Sequence, residues 1–340
     1  MTTDDDYKIA EFNPLDDEQL NLSCNLMKIV WGESEFSQFY YNEWLYRKNP
    51  AGFALGFLAF SQTTLAAQYV TSASQLWCPP EKRVSKVLMS LNTATHPEHQ
   101  KKGLFSKTAK MTYELAAKKG YFAVYGFPNN NSLPGFKKLG FYELDALDLY
   151  LSLPAGGLFS WTRQFYFGLL ACIAKEKKIK DLEYVGLDSK LCFDKDAEES
   201  FKSEYYHVPR TKAWLNWRYA NHPSRNYLLL GSISSGFVIR VVEISGFRVC
   251  LLVDILGNID RELIKYLRNF LKEKKLGIVI SVLSKNCLEL HPLLKTLLWL
   301  KIPGILTPKK FHVIFKYLNG AVEPEALPKF YFTLGDIDIL

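Results

Sequence analysis

The chain has 340 residues, of which 48% are hydrophobic and 23% charged, and its formal net charge is +7. This composition is typical of a folded globular protein and excludes a disordered or low-complexity chain. The length predicts two domains, each large enough to bury its own core. The mildly basic charge suits a polyanionic small molecule, and weak nucleic-acid binding is the alternative that it leaves open.

The amino terminus, MTTDDDYKIA, is acidic and lacks the apolar stretch of a secretory signal. The apolar run from Phe165 to Ala174 is far shorter than the ~20 residues that a membrane-spanning helix needs. We therefore expect a cytoplasmic protein without a membrane span. The cysteines have no metal-binding or disulfide spacing and predict reduced thiols, with a metal site or a disulfide as the alternative. They are Cys24, Cys78, Cys172, Cys192, Cys250 and Cys287.

Two helices and a strand hairpin are the first elements along the chain. The segment from Asp16 to Trp31 predicts a helix, because its first turn is acidic and its apolar residues recur at helical spacing. A second helix is predicted from Glu35 to Arg47, and the segment Asn49-Pro50-Ala51-Gly52 ends it. The runs from Phe53 to Phe60 and from Leu65 to Ser72 predict the hairpin.

A buried strand, a glycine-bearing turn and an amphipathic helix come next. The run from Val87 to Thr95 predicts the strand, and Pro97 ends it because proline cannot donate to a ladder. Gly103 opens the helix, where an anion can approach backbone N–H groups that have no helical partner. Lys101 and Lys102 precede this glycine. The turn therefore predicts a pyrophosphate site.

The following residues repeat the alternation of strand and helix. The run from Tyr121 to Phe127 predicts a strand, the polar segment from Pro128 to Ser132 a turn, and the segment from Phe136 to Phe141 the end of a short helix. Over residues 87–143 the chain resembles the GNAT-type N-acyltransferases, because two motifs of that family occur in order at the right separation.

The first motif of the family is Gln/Arg-x-x-Gly-x-Gly/Ala, which Gln100 and Gly103 match, whereas Phe105 stands at the last small position. The second is Asn-x-x-Ala followed by Tyr-x-Lys-x-Gly-Phe, and Asn129 matches its first residue. Phe136 stands where the family usually has a tyrosine that acts as general acid. The resemblance therefore implies that this acid is missing.

The resemblance implies an α/β fold with tandem GNAT-like mixed sheets flanked by helices, the second copy being degenerate. It implies acetyl-CoA or another acyl-CoA as co-substrate, and no metal is expected. Backbone groups of Thr93, Ala94 and Thr95 are assigned to the pantetheine arm and the thioester carbonyl. Asn129 is assigned to the same arm, with a purely turn-forming role as the alternative. The pyrophosphate is assigned to Gln100, Lys101, Lys102, Gly103, Leu104, Phe105 and Ser106.

The second half of the chain predicts the degenerate copy. A Trp-x-Tyr-x-x-x-Pro pattern that begins at Trp44 recurs at Trp217, and two strands, a helix and a further strand follow it. These elements are predicted at Gly236 to Ile244, Phe247 to Ile255, Asp260 to Lys275 and Leu276 to Leu283. The helix entrance has no glycine, and Asp254 and Asp260 lie near it, so only the first half is expected to bind the coenzyme.

We therefore predict an N-terminal acyl-CoA-binding domain at residues 1–152, a connecting segment at residues 153–180, and a C-terminal domain at residues 181–340 that is structural or serves the acceptor. The ending from Phe332 to Asp336 resembles a tandem-GNAT branch found with bacterial surface-polysaccharide genes. Asp336, together with Asp338, is the candidate general base in this ending. A solvated acidic tail is the alternative.

The leading functional prediction is an acyl-CoA-dependent N-acetyltransferase in which a small or carbohydrate amine attacks the thioester directly. An amino sugar of a cell-surface polymer is one such acceptor, and no nucleic-acid partner is expected. Two alternatives stay open. One is a non-catalytic acyl-CoA-binding sensor; the other is a Fem-like aminoacyl transferase, which would not need the turn from Gln100 to Gly103. The sequence leaves the acceptor, the acyl chain and the oligomeric state open.

Overall fold

The computed structural model describes residues 7–152, 180–181, 191–198, 202–244, 247–297, 300–303, 310–318 and 327–337. Contacts divide the chain into two compact units. The first comprises residues 1–76, 83–144 and 313–327, and the second residues 77–82, 145–312 and 328–340. Cys172, Asp338 and nearly all of the predicted connecting segment lie outside the described residues, so the domain bounds stay a prediction.

The first unit is built on a mixed sheet. Its strands are β1 (Lys8–Glu11), β2 (Leu55–Ser61), β3 (Thr64–Cys78), β4 (Arg83–Ser90), β5 (Ala94–Thr95), β6 (Ala123–Gly126) and β14 (Phe311–Tyr317). The strand order is β1-β2-β3-β4-β6-β14. Strands β4 and β6 pair in parallel, whereas β1 with β2, β2 with β3, and β6 with β14 pair antiparallel.

Helices of the first unit start and stop largely where the sequence predicts. They are α1 (Asp17–Trp31), α2 (Phe39–Tyr46), α3 (Leu104–Lys118) and α4 (Leu133–Lys138). The side chain of Asp16 caps α1 by accepting hydrogen bonds from the N–H groups of Glu18 and Gln19. The predicted second helix begins later than expected, because a 3₁₀ turn at Glu35–Ser37 precedes α2.

The predicted strand from Val87 to Thr95 is interrupted. Strand β4 ends at Ser90, Asn92 takes a left-handed backbone conformation with φ of 50°, and the chain resumes as β5. Strand β5 pairs with β3, with Ala94 opposite Gln68. The sequence prediction was wrong here because the apolar run was taken as one strand, although its asparagine is of a residue type that adopts the left-handed region more often than most.

The second unit also contains a mixed sheet. Its strands are β7 (Tyr142–Ser152), β8 (Lys180–Asp181), β9 (Leu228–Gly231), β10 (Ser235–Ile244), β11 (Phe247–Gly257), β12 (Val279–Leu283) and β13 (Leu300–Lys301). Strand β10 pairs antiparallel with β8, β9 and β11, and β7 pairs antiparallel with β12 and β13. Strands β11 and β12 pair in parallel.

Three α-helices are described in the second unit: α5 (Lys212–Leu215), α6 (Arg261–Glu273) and α7 (Lys285–Leu290). Helix α6 connects the parallel strands β11 and β12, just as α3 connects β4 and β6 in the first unit. Both units are thus mixed α/β structures, which confirms the predicted fold class. None of the helices in the described part of the chain has the length and apolarity that a bilayer crossing requires.

A buried network of charges lies in the core of the second unit. The Arg210 guanidinium donates hydrogen bonds to Asp254, at 2.7 Å, and to Asp336, at 2.7 and 2.8 Å. The side chains of all three residues are at most 1% exposed. The hydroxyls of Tyr219 and Thr333 donate to Asp254 at 2.7 and 2.9 Å. These bonds supply the partners that buried carboxylates require.

Removing Arg210 should destabilise the second unit strongly. In Arg210→Met two buried carboxylates lose their counter-charge, so we expect the free energy of unfolding to fall by about 3–5 kcal/mol. Denaturant titration followed by circular dichroism measures this. Lys285→Ala is the control, because Lys285 lies 3.8 Å from Glu289 with its side chain 74% exposed, and we expect a change below ~0.5 kcal/mol. Similar small losses in both variants would contradict the importance of the network.

The acid stability of the second unit should depend on Asp254. Burial alone would raise the pKa of this carboxyl, but the charge of Arg210 outweighs burial and lowers the pKa below its ordinary value. The wild type should therefore be more stable than Asp254→Asn above the unfolded pKa of ~3.9, and should lose that advantage as the pH falls below it. Urea titrations between pH 7 and pH 3 measure the difference. A pH-independent difference would contradict this linkage.

Candidate active site

Strands β4 and β6 separate at the site that the sequence assigns to the thioester. Their parallel pairing runs from Val87 opposite Ala123 to Ser90 opposite Gly126. Beyond Ser90 the chain turns toward β3, where β5 pairs. Thr93 and Thr95 are half-buried at this opening, and Ala94 is buried. The structure thus brings Thr93, Ala94 and Thr95 to the point where the two parallel strands diverge.

Two side chains hold the backbone at this divergence. The side-chain amide of Gln68 donates a hydrogen bond of 2.9 Å to the carbonyl oxygen of Asn92. The side-chain amide of Asn92 donates a hydrogen bond of 3.3 Å to the hydroxyl of Tyr46. Gln68 and Tyr46 are fully buried. Sequence reasoning missed Gln68, which belongs to no motif, and it placed Tyr46 in the recurring Trp-x-Tyr-x-x-x-Pro pattern without its contact to Asn92, which is distant in the chain.

The predicted pyrophosphate turn has an open backbone. Gly103 has φ of 75° and directly precedes α3, and the preceding Lys101 also has a positive φ of 62°. A Cβ built on Gly103 would have no neighbour within 4 Å, so the space over this backbone is open. Gln100, Lys101 and Lys102 are exposed around the turn. An exposed helix N-terminus with adjacent lysines fits a phosphate group.

Two residues of the turn contribute side chains to the core. Leu104 packs with Ala59, Ala66 and Ala67. The ring of Phe105 lies edge-on to the rings of Tyr69 and Phe136, with centroid distances of 5.7 and 5.4 Å. Both therefore offer only their N–H groups to an anion. Ser106 is half-buried in the same first turn.

The large ring of Phe105 is accommodated by a glycine on α4. A Cβ built on Gly135 would lie 3.1 Å from Cε1 of Phe105, which is tighter than ordinary contact. The aromatic side chain thus fills space that an ordinary residue at position 135 would occupy. The departure of Phe105 from the family motif is therefore compensated within the same unit.

Phe136 lies in the aromatic core. It is 4% exposed and contacts the rings of Phe105 and Phe141 edge-to-face. The ring of Tyr69 also packs near Phe136, at a centroid distance of 6.5 Å, and the Tyr69 hydroxyl lies 2.6 Å from that of Tyr113 and 2.8 Å from Oγ of Ser90. Burial raises the pKa of both tyrosines above the ordinary value. These hydroxyls remain protonated at neutral pH.

Asn129 forms the turn before α4. Its side-chain oxygen accepts hydrogen bonds of 3.0 Å from the N–H groups of Asn131 and Ser132. Its carbonyl oxygen accepts from the N–H of Leu133 at 3.0 Å. This geometry supports the turn-forming alternative. Asn129 is exposed, and its assignment to the pantetheine arm stays a prediction.

One group of metal-ligand side chains occurs among the described residues, beside the pyrophosphate turn. The ligand atoms of His96, Glu98 and His99 lie within 4.8 Å of one another. Both imidazoles have protein partners: Nδ1 of His96 accepts from the N–H of Glu98 at 3.3 Å, and Nδ1 of His99 lies 2.9 Å from the Tyr7 hydroxyl. The expectation that the protein needs no metal stays a prediction.

Asp336 is placed by the structure in the buried network with Arg210. Its side chain is fully buried, and its carboxylate also accepts a hydrogen bond from the N–H of Thr333 at 2.8 Å. The ending is therefore not a solvated tail up to Ile337. The carboxylate is buried and paired with Arg210, which gives it a structural role, and its assignment as general base stays a prediction.

The second unit offers no equivalent of the glycine turn at α6. The carboxylate of Asp260 occupies that helix entrance by accepting a hydrogen bond of 2.7 Å from the N–H of Leu263. This agrees with the predicted acidic entrance. The expectation that Asp254 crowds the same place was wrong, because its carboxylate is buried and bound to Arg210.

The aromatic residues of the recurring pattern belong to the cores. Trp44 and Tyr46 lie on α2 and are 3% and 0% exposed. Trp217 and Tyr219 lie on a π-helical turn and are 9% and 2% exposed. Of the five cysteines in the described part of the chain, only Cys192 is exposed.

No protein-family model and no curated protein matches the sequence. The structure does resemble solved structures. A protein of unknown function from Enterococcus faecalis, described as a probable N-acyltransferase, superposes with a TM-score of 0.60 at 12% identity, over 92% of this chain and 72% of that chain.

Two GCN5-related N-acetyltransferases superpose as well. The one from Anabaena variabilis has a TM-score of 0.57 at 8% identity, over 92% of this chain and 73% of its own. The one from Kribbella flavida has a TM-score of 0.52 at 11% identity, over 94% and 73%. Identities this low show the fold alone. The chain therefore has the mixed α/β fold of GNAT-type N-acetyltransferases.

Proposed function

We propose that the protein is an acyl-CoA-dependent N-acyltransferase, with acetyl-CoA as the donor and a small or carbohydrate amine as the acceptor. One observation carries the proposal: the parallel pairing of β4 with β6 ends at Ser90, and after β5 the chain forms an open turn at Gly103 that follows two exposed lysines. An opening between strands and a phosphate-binding helix start are the two features that an extended acyl-CoA molecule requires.

The turn suits the pyrophosphate. The N–H groups of Leu104, Phe105 and Ser106 lie in the first turn of α3, where no helical partner exists for them. The helix dipole and the exposed lysines at 101 and 102 add favourable charge. Gly103 is needed because its left-handed backbone disfavours any side chain and its open surface admits the anion.

The opening suits the reacting group. The amine nitrogen attacks the thioester carbonyl, its bond to carbon forms, and the resulting oxyanion collapses as the carbon–sulfur bond breaks. A backbone N–H at residues 93–95 that donates to the oxyanion is worth about 2.7–4 kcal/mol in the transition state. The amine loses a proton, and the departing thiolate takes one from solvent or another donor.

The absence of a hydroxyl at Phe136 is compatible with this chemistry. A coenzyme thiol has an ordinary pKa near ~8.5, so its thiolate departs with less need of protonation than an alkoxide. The sensor alternative is favoured by one observation, namely that Phe136 is buried in an aromatic cluster and offers no proton. The Fem-like alternative does not account for the open turn at Gly103.

The finer assignments follow from the same proposal. An intracellular thioester donor favours a cytoplasmic enzyme, and the resemblance of the Phe332 to Asp336 ending favours an amino sugar of a surface polymer as acceptor. The C-terminal domain then serves the acceptor or supports the fold, because the entrance of α6 is closed by Asp260.

Coenzyme A binding should depend on Gly103. We expect Gly103→Glu to weaken the affinity about a hundredfold or more, because the new carboxylate fills the open space and repels the pyrophosphate. Isothermal calorimetry with coenzyme A measures this. Gly120→Glu is a matched control, because Gly120 lies beyond the other end of α3 with φ of 77° and equally open surroundings. Unchanged affinity in Gly103→Glu, or an equal loss in both variants, would overturn the site.

Restoring a hydroxyl at position 136 should change catalysis little. We expect Phe136→Tyr to alter the turnover of acetyl-CoA with amino sugars by less than about tenfold, because thiolate departure has little need of an acid. Phe141→Tyr is the control for burying a hydroxyl, since Phe141 is 6% exposed in the same cluster. A gain above about a hundredfold in Phe136→Tyr alone would instead indicate a degenerate active site and favour the sensor.

A further inference from the structure

Gln68 on β3 has an unusual position for a buried amide. It is 1% exposed, its Nε2 donates to the carbonyl oxygen of Asn92 at 2.9 Å, and no residue in the described part of the chain donates to its buried Oε1. Leaving an amide oxygen unsatisfied in a protein interior is costly. Gln68 forms its hydrogen bond to the Asn92 carbonyl although its own amide oxygen is buried. This indicates that the Asn92 carbonyl has to be held in place.

Asn92 adopts a conformation that needs support. Its φ of 50° is in the left-handed region, which residues with a side chain rarely adopt, although asparagine enters it more readily than most. Gln68 fixes its carbonyl group, and Tyr46 fixes its side chain at 3.3 Å. The two contacts together define the orientation of the peptide that joins Asn92 to Thr93.

The orientation of that peptide determines where the N–H of Thr93 points. In a planar trans peptide the C=O and the N–H point in opposite directions. The C=O of Asn92 points to Gln68, which belongs to β3, so the N–H of Thr93 points away from Gln68. The N–H of His96 donates to the carbonyl oxygen of Ala66 on β3. Because successive N–H groups alternate in direction along an extended strand, the N–H of Thr93, three residues before His96, faces away from β3. Strand β6 lies on that side of the sheet, so the N–H of Thr93 is directed toward the opening that β6 borders.

We propose that Gln68 is a positioning residue that directs the Thr93 N–H toward the acyl carbonyl of the bound thioester. The proposal rests on the proposed function and deepens it, because it identifies which of the three residues at the opening donates the hydrogen bond and which side chain fixes the donor. Gln68 itself does not touch the donor substrate, since its side chain is buried beneath the backbone that it holds.

The test compares coenzyme A with the dethia analogue of acetyl-CoA, a stable ketone in which a methylene group replaces the sulfur. Calorimetry measures the affinity gained through the acetyl group as the ratio of the two dissociation constants. Gln68→Met keeps the length of the side chain and removes the donor. We expect this variant to bind coenzyme A like the wild type but to lose about three- to tenfold of the acetyl-dependent gain.

Thr71→Val is the matched control. Thr71 lies on the same strand, is fully buried, and donates through Oγ1 to the carbonyl oxygen of Leu55 at 2.7 Å, away from Asn92. The substitution Thr71→Val therefore removes a buried side-chain-to-backbone hydrogen bond of the same kind as the one that Gln68→Met removes. We expect it to keep the acetyl-dependent gain. If Gln68→Met does not fold, Gln68→Glu is used instead, because it keeps the shape and turns the donor into an acceptor.

Nuclear magnetic resonance supplies a second readout that a purely structural role would not move. With threonine labelled by ¹⁵N, the amide proton of Thr93 should shift downfield when the ketone analogue, but not coenzyme A, binds to the wild type. The shift should disappear in the Gln68 variant and persist in Thr71→Val.

The outcomes separate the two proposals. A wild type that binds neither probe overturns the proposed function and this inference with it. A wild type that binds both probes equally, or a Gln68 variant that keeps the acetyl-dependent gain and the Thr93 shift, overturns the inference alone. Loss of both in the Gln68 variant, with both kept in Thr71→Val, supports it.

Discussion

A parallel strand pair that separates must find new partners for the backbone groups it releases, and the candidate site depends on how this chain does so. Beyond Ser90 the pairing with β6 ends, whereas Ala94 and Thr95 pair with β3 on the other side. The Asn92 carbonyl is bound by the amide of Gln68. The donor that we infer at Thr93 is held by this contact, and a backbone donor held in this way needs no reorganisation when negative charge develops on a substrate.

The second unit has a similar order of elements, but a carboxylate lies at the start of its connecting helix and a buried ionic network lies in its core. Its parallel strands β11 and β12 are joined by α6 as β4 and β6 are joined by α3, yet no open turn precedes α6. At the start of α6 the carboxylate of Asp260 accepts a hydrogen bond from the N–H of Leu263. Asp254, in the preceding strand β11, is bound to Arg210. The carboxylate of Asp336 belongs to the same network, which explains why the final segment is fixed within this unit. The strand–helix–strand order that carries the open turn in the first unit is thus accompanied by a buried ionic network in the second unit.

Sequence reasoning was accurate where a local pattern decides the structure. The acidic cap of α1, the glycine at the start of α3 and the order of elements in both halves follow from short-range signals. It was inaccurate where contacts between distant residues decide. The break of the predicted strand at Asn92 depends on Gln68 and Tyr46, and the burial of Asp336 depends on Arg210, more than a hundred positions away in the chain. No motif links any of these three partners to the residue that it contacts.

The two departures from the family motifs are one packing change. Phe105 replaces a small residue and Phe136 replaces a tyrosine, and their rings contact each other at a centroid distance of 5.4 Å with perpendicular planes. Gly135, next to Phe136, supplies the space that the ring of Phe105 fills. Phe105, Gly135 and Phe136 thus form one complementary packing arrangement in the core of the first unit, and the absence of a hydroxyl at position 136 is part of that arrangement.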